Sequence, residues 1–579
     1  ATDARQHVAA LVATSAEVDW TANRARLERA ATDGDAGAIL AAMQRWPQQL
    51  RELAEEDALA RWADASHGAN QPSEARRWLA MARQLGTALA RQQGEHMTQD
   101  AVAVIDRAWC LPLPAAAPLR AALSAGHRAY GAALAHLRDD DLEAAQRAFG
   151  RSRALFDRAG SPFVLWVDFH LALSAFRQSR FRQALPPLLA LLARPESQRY
   201  PALRGRALWL LGLIRFIRGE LTASAAVYGE GLACFRRLRE GANEARLEAL
   251  LADDLDHLGD LVGAWGMAVA ALRDAAGSGA PLAAYAACEE VALMARDLGE
   301  PLVARRFQDE VVRSARQIGK PAAVAEALRG RARVLVVAGR PDLARSDLGE
   351  AMRQLAAVKD NRGRAGIEGD LLLAAGSLAR QRDPASAVGP LSRALGFFRA
   401  AGDHLQLGLA LADRALAYLA LGSDRQAESD LRAALAEIER QRGRISGAES
   451  RIAYLDLQRS LYERMVSFQI RQRHRPDLAF DYSERARARS LLDWIATSPA
   501  RAATPPSAST APLTAAAVRR RLPAGTVVLE LGVVEQRLFL WIVRRRDLHL
   551  LDTGASVAAV ADLSKRLDSA LGDHRDTDL

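Results

Sequence analysis

Gly299-Glu300-Pro301-Leu302-Val303-Ala304 and Gly339-Arg340-Pro341-Asp342-Leu343-Ala344 share one layout, forty residues apart. Each has a glycine, a proline two positions on and an alanine five positions on. Glycine after a helix takes the left-handed conformation that ends it without steric cost. Proline then starts the next helix, where its missing N–H does no harm. The small residue lets two helices approach closely. Working outward, the same turn-plus-five rule picks out Ala145, Ala184, Ser224, Ala264, Ala304, Ala344, Ala387 and Ala427 as repeat-packing anchors. Their spacings are 39, 40, 40, 40, 40, 43 and 40. The turn residues are Asp140, Ser179, Gly219, Gly259, Gly299, Gly339, Arg382 and Gly422.

Eight residues after the anchors stand Leu192, Leu232, Leu272, Val312, Met352, Leu395 and Leu435, with Arg153 breaking the rule in the first unit. Positions four and eight residues after an anchor share a helix face, so these residues form a predicted packing stripe. A period near forty holds two helices of about four turns each and short turns. Self-similarity at this period signals a solenoid. The expectation is a mainly α chain, an α-solenoid of about ten helix-turn-helix repeats. Its anchors and large apolar residues resemble tetratricopeptide repeats of the long, roughly 40-residue kind. HEAT-like repeats share the period and remain the structural alternative. The first helices of successive repeats are predicted to line a groove that holds a protein or peptide ligand.

The ends are looser. Residues 1–119 read as irregular helical repeats, broken by Leu111-Pro112-Leu113-Pro114, and residues 120–496 as the regular solenoid with its capping repeat. Arg475-Pro476-Asp477-Leu478-Ala479 repeats the letters at Arg340, but its anchor comes 52 residues after Ala427. The last repeat is therefore predicted to have a lengthened first helix, as an atypical cap.

With 579 residues the chain is too long for one ordinary core. No apolar run reaches transmembrane length; Leu208–Ile217 already contains Arg215. The net charge is +9, yet arginines are spread over nearly every helix and interleaved with Asp and Glu. Nucleic-acid binding needs clustering on one face, so this spread argues against it. Cys110, Cys234 and Cys288 cannot supply a disulfide framework or a four-cysteine zinc site, and read as small buried residues in a reducing compartment. A cytoplasmic setting is expected. No Gly-Lys-Ser/Thr phosphate loop, zinc-spaced histidine pair or Gly-x-Ser-x-Gly elbow occurs. No cofactor and no metal ligand is assigned.

Residues 497–517 form a Pro/Ser/Thr/Ala linker with too few apolar anchors to fold. The period then switches to two. Thr526–Val534 and Arg537–Arg545 read as strands joined at Glu535-Gln536, Leu548–Leu551 as a third, and Val557 to Leu567 as a helix. The second strand is apolar on both faces, which predicts a sheet covered on both sides. One helix cannot do that, so residues 518–579 read as an incomplete domain.

Arg451-Ile452-Ala453-Tyr454, Leu461-Tyr462-Glu463 and the run from Tyr482 through Glu484-Arg485-Ala486-Arg487-Ala488-Arg489 to Asp493 carry a resemblance. They are similar to the junction closing the array in bacterial CHAT-domain proteins, where a caspase-like domain follows tetratricopeptide repeats. The resemblance implies a partial α/β caspase-like segment at the C-terminus. It further implies a His–Cys dyad carried on later strands, beyond Leu579. Within this chain no catalytic residue is assigned: His549 and His574 lack a following glycine, and His67-Gly68 lies in the repeat region. The resemblance also admits the chain's own CHAT domain as occupant of the groove. The alternative is a pure interaction scaffold, or a regulator's sensor array, without peptidase activity.

Overall fold

The computed structural model describes residues 16–67, 72–112, 114, 116–358, 361–497 and 513–575. The chain divides into two compact units. One joins Ala1–Arg382 to Gly389–Gln406, and the other joins Asp383–Val388 to Leu407–Leu579.

The first unit opens with α1 (Ala16–Asp33), α2 (Ala36–Arg45), α3 (Pro47–Glu52) and α4 (Leu59–His67). A π-helical stretch, Leu53–Ala58, joins the last two. Then come α5 (Pro72–Gln93) and α6 (Met97–Cys110). From here helices pair: α7 (Ala117–Arg138) with α8 (Leu142–Ala159), α9 (Phe163–Arg177) with α10 (Phe181–Ala193), α11 (Pro201–Ile217) with α12 (Leu221–Leu238). The pattern continues through α13 (Gly241–His257) and α14 (Leu261–Ser278), α15 (Pro281–Asp297) and α16 (Pro301–Ile318), α17 (Pro321–Val337) and α18 (Pro341–Ala356). The last pair of this series is α19 (Asn361–Arg380) with α20 (Pro384–Ala401); α21 (His404–Ala420) and α22 (Asp424–Arg442) follow, and from Leu407 onward the chain belongs to the second unit. This is an α-solenoid of TPR-like helix pairs.

The turns explain the regularity. Gly219, Gly259, Gly299, Gly339 and Gly422 all sit at positive φ, between 67° and 81°. Asp140 and Ser179 hold the same left-handed conformation, at 59° and 57°, without being glycine. Pro301, Pro341 and Pro384 are each the first residue of a helix. All eight anchors are fully buried. Five of the seven apolar stripe residues are buried too, but Leu192 is half-buried and Met352 is 41% exposed. In α18 the buried face runs through Leu348, Ala351 and Leu355, so the neighbouring alanine takes the place expected for Met352.

In the first unit, ties also reach far beyond the neighbouring repeat. The buried Arg51 guanidinium donates to Glu240 at 2.6 Å and to Glu55 at 2.9 Å. Lys320 Nζ lies 3.5 Å from Asp140. A methyl group added at Gly366 would sit 2.8 Å from Ser179 Oγ. These pairs are 189, 180 and 187 residues apart, so the array meets itself again after between four and five repeats.

In the second unit the array ends on α23 (Ala448–Leu457), α24 (Arg459–Arg471) and α25 (Pro476–Thr497). The single lengthened helix predicted for the last repeat is instead two helices, interrupted at Gln458. Residues 498–512 of the linker lie outside the described residues. After α26 (Ala515–Arg521), strands β1 (Val527–Val534), β2 (Arg537–Arg544) and β3 (Leu548–Ser556) form an antiparallel meander, followed by α27 (Val557–Arg575). Glu535 and Gln536 both have positive φ, as a two-residue hairpin of matching twist requires. The sheet packs on the helical cap: Trp541 Nε1 donates to the Pro476 carbonyl at 3.1 Å, and Arg487 donates to the Leu531 carbonyl at 2.7 Å.

Candidate functional site

The first helices of successive pairs share one polar face. Arg206 and Trp209 on α11, Arg246 on α13, Tyr285 and Glu289 on α15, and Glu326 and Arg329 on α17 are all half-buried. Arg246 lies over the Trp209 ring, 4.7 Å from its centroid. Surrounding protein governs how these groups ionise. Burial lowers Arg246 to about 10, helped by the nearby Arg206 charge. Burial raises Glu326 to about 7, against the pull of Arg329. The stacking rule places each first helix, and the residues between its buried positions decide what that face presents.

Where the array meets itself, this face opens into a cavity of about 650 Å³. One wall is the α9–α10 turn with Phe176, Gln178, Ser179 and Phe181. The opposite wall is α19 with Gly366 and Asp370, and the C-terminal end of α20 with Phe397 and Phe398. Glu326, Asp403 and Arg180 complete it. Asp140, at the rim, pairs with both Arg177 and Lys320. Asp403 caps α21, accepting from the Gln406 N–H at 3.0 Å. Burial raises Asp403 to about 7 and raises Asp370 despite Arg329 and Arg333.

No cavity residue was nominated by sequence as a ligand contact. The repeat anchors lie in the second helices and are buried, and none lines the cavity. A sequence signal did exist. The turns at Asp140 and Ser179 lack the glycine found at most others, and both residues line the cavity. The one 43-residue spacing falls on α19, which has 20 residues against 17 in α17.

Among the cysteines, Cys288 is buried and burial pushes its thiol up; Cys234 is partly buried and also raised. Cys110 is exposed, contrary to the expectation of burial. His549 is exposed, 3.5 Å from Asp547. His574 lies where side chains are not described, and Gly68 lies outside the described residues. Among the described residues no group of His, Cys, Asp and Glu could hold a metal ion, and no helix is long and apolar enough to cross a membrane.

In the second unit, the two faces of the sheet differ. Phe539, Trp541 and Val543 are buried against the helical cap. On the other face Val527, Leu529, Leu531 and Val533 of β1 are 45–65% exposed. Leu538, Leu540 and Ile542 of β2 are half-exposed beside them. The sequence predicted cover on both faces; among the described residues only one is covered.

No protein-family model matches this chain, and no curated protein matches it. Among solved structures, the apo form of the quorum sensor NprR from B. thuringiensis is similar over 67% of this chain and 99% of its own, with 14% identity and a TM-score of 0.40. A Rap protein complexed with competence and sporulation factor is similar over 60% and 99%, with 10% identity and a TM-score of 0.40. A STAND signal-transduction ATPase with a tetratricopeptide repeat sensor, from Pyrococcus horikoshii, is similar over 56% and 50%, with 14% identity and a TM-score of 0.33. Likeness at this level is too loose to transfer a site or a ligand.

Proposed function

We propose that this chain is a protein- or peptide-binding scaffold whose ligand lies along the polar face of the first helices. One observation carries the reading: half-buried charged and aromatic side chains on successive first helices, from Arg206 and Trp209 to Glu326 and Arg329, with Glu326 lining a cavity of about 650 Å³. Such a face is costly for stability alone, because burial disfavours each charge on it. Stacking needs only the apolar stripes. Solenoids use extended inner surfaces of this kind to bind partners.

The finer reading is a regulatory array of a CHAT-type, caspase-like cysteine peptidase whose catalytic dyad lies beyond Leu579. Its support is the sequence resemblance around Tyr482–Asp493 and the open apolar face of β1 and β2. A pure interaction scaffold is the alternative. Expression with downstream sequence separates them: peptidase activity lost on mutating a downstream cysteine favours the first.

The scaffold reading is tested by affinity purification from the native organism. Charge reversals on the groove wall, Arg246→Glu and Glu289→Arg, should release the bound partner. Reversals on outward helix faces, such as Glu143→Arg, should not. Retention of every partner by the groove variants would sink the proposal.

A further inference from the structure

The cavity between the α9–α10 turn and α19 is built for a particular ligand chemistry, and the non-glycine turn residues Asp140 and Ser179 and the lengthened α19 all line it. Gln178 is only 4% exposed, lines the cavity, and has no hydrogen-bond partner for either Oε1 or Nε2 among the described residues. A buried primary amide left unpaired is costly, so it is normally satisfied. Its free donor and free acceptor, side by side, match a peptide group, which offers one acceptor and one donor in return.

The charge on the walls has a sign. Asp140 is already neutralised by Arg177 and Lys320. Glu326, Asp370 and Asp403 remain, and Asp370 Oδ1 is buried with no hydrogen-bond partner among the described residues. Arg180 lines the cavity beside them, and Arg329 and Arg333 approach Asp370 from outside the lining, so the lining itself keeps four carboxylates against two arginines. The remaining surface is aromatic and aliphatic, with Phe176, Phe181, Phe397 and Ile367 facing the same space. A volume of about 650 Å³ suits a few residues of extended chain.

We propose that this cavity binds a short peptide segment in which an arginine or lysine adjoins an apolar side chain. Gln178 pairs with the segment's backbone, Glu326, Asp370 and Asp403 receive the cation, and the phenylalanines enclose the apolar neighbour. This rests on the scaffold reading and narrows it to one ligand class at one place.

The test is affinity selection with the purified chain from an equimolar hexapeptide library, acetylated and amidated so that only side chains carry charge. Retained peptides should be enriched in Arg or Lys next to Phe, Leu or Ile. Glu326→Gln combined with Asp370→Asn should abolish that preference and weaken the best basic peptide roughly tenfold or more. Gln178→Leu should weaken basic and neutral peptides alike. Asp403→Asn keeps the helix cap, because Asn caps as well as Asp, and serves if the double variant melts early. Retained peptides without a basic preference would overturn the cation assignment and leave the scaffold reading standing. Spermidine binding, lost in the double variant while no peptide is retained, would overturn the peptide assignment in favour of a free amine. Binding of neither would overturn the proposal outright, with the affinity purification deciding the scaffold reading separately.

Discussion

The turns at Gly219, Gly259, Gly299 and Gly339 and those at Asp140 and Ser179 have the same left-handed backbone and different residues. The glycine turns belong to the stretch with strict forty-residue spacing, where each helix pair rests on its neighbours. The other two face the cavity, opposite the one helix that lengthens the spacing to 43 residues. Strict spacing accompanies local stacking, and the breaks at Asp140, Ser179 and α19 fall where distant repeats meet, whereas Arg382, a third turn without glycine, lines no part of the cavity. A side chain at a turn is worth its strain where it has something to touch: Asp140 holds two cations and Ser179 closes against Gly366.

The largest effect separates long-range ties from local stacking. Arg51→Met leaves Glu55 and Glu240 buried without their cation and should cost about 3–5 kcal/mol in denaturant unfolding. Arg83→Met removes an exposed pair with Asp106 and should cost at most about 1 kcal/mol. Equal effects would mean that the Arg51 clasp does not hold the array together.

Within the regular stretch, Ala304→Trp or Ala344→Trp places a large ring at a fully buried anchor. Each should destabilise by at least the 1–3 kcal/mol typical of overpacking, about 3 kcal/mol where backbone must move. Unchanged melting in both would refute the assigned register.

Acid should act against the burial of His127 on α7. Burial lowers His127 to about 3, from an ordinary value of 6.5. The unfolded chain takes up this proton below about 6.5 and the folded chain refuses it, so stability falls with pH across that window. At pH 5 the loss is about 2 kcal/mol relative to neutral pH, and His127→Leu should remove that part of the slope. The stability–pH slopes of variant and wild type, compared between pH 7.5 and 5, check it.

The smallest effect addresses the turns themselves. Gly299→Ser adds a side chain at φ 76° with open space around it, and should cost roughly 1 kcal/mol through backbone strain alone. Ser179→Gly should be nearly neutral or gain a few tenths of a kcal/mol in stability while loosening the cavity wall. Matching losses from both substitutions would erase the distinction between the two kinds of turn.

Much of the fold was legible because its signals are local. A glycine, a proline and an alanine at fixed offsets mark each turn, and a switch to period two marks β1 and β2. The split between α23 and α24 was not legible, since no proline or glycine stands at Gln458 to announce it. Cover on both sides of the sheet was inferred from Leu538, Leu540 and Ile542, whose apolar character says what they would bury against but not whether it is there. The cavity escaped because it joins residues about 187 positions apart, such as Ser179 and Gly366, and no window of sequence holds both. Its trace was the loss of glycine at two turns and three extra residues in one helix.

The central claim is that the ligand sits where the array meets itself, and hydrogen–deuterium exchange tests it most directly. With the best-retained hexapeptide at saturation, amides in residues 174–183, 364–372 and 396–406 should gain protection together, while those of β1 to β3 stay unchanged. Protection confined to the sheet, or spread evenly along the helices with none in these three segments, would contradict the account.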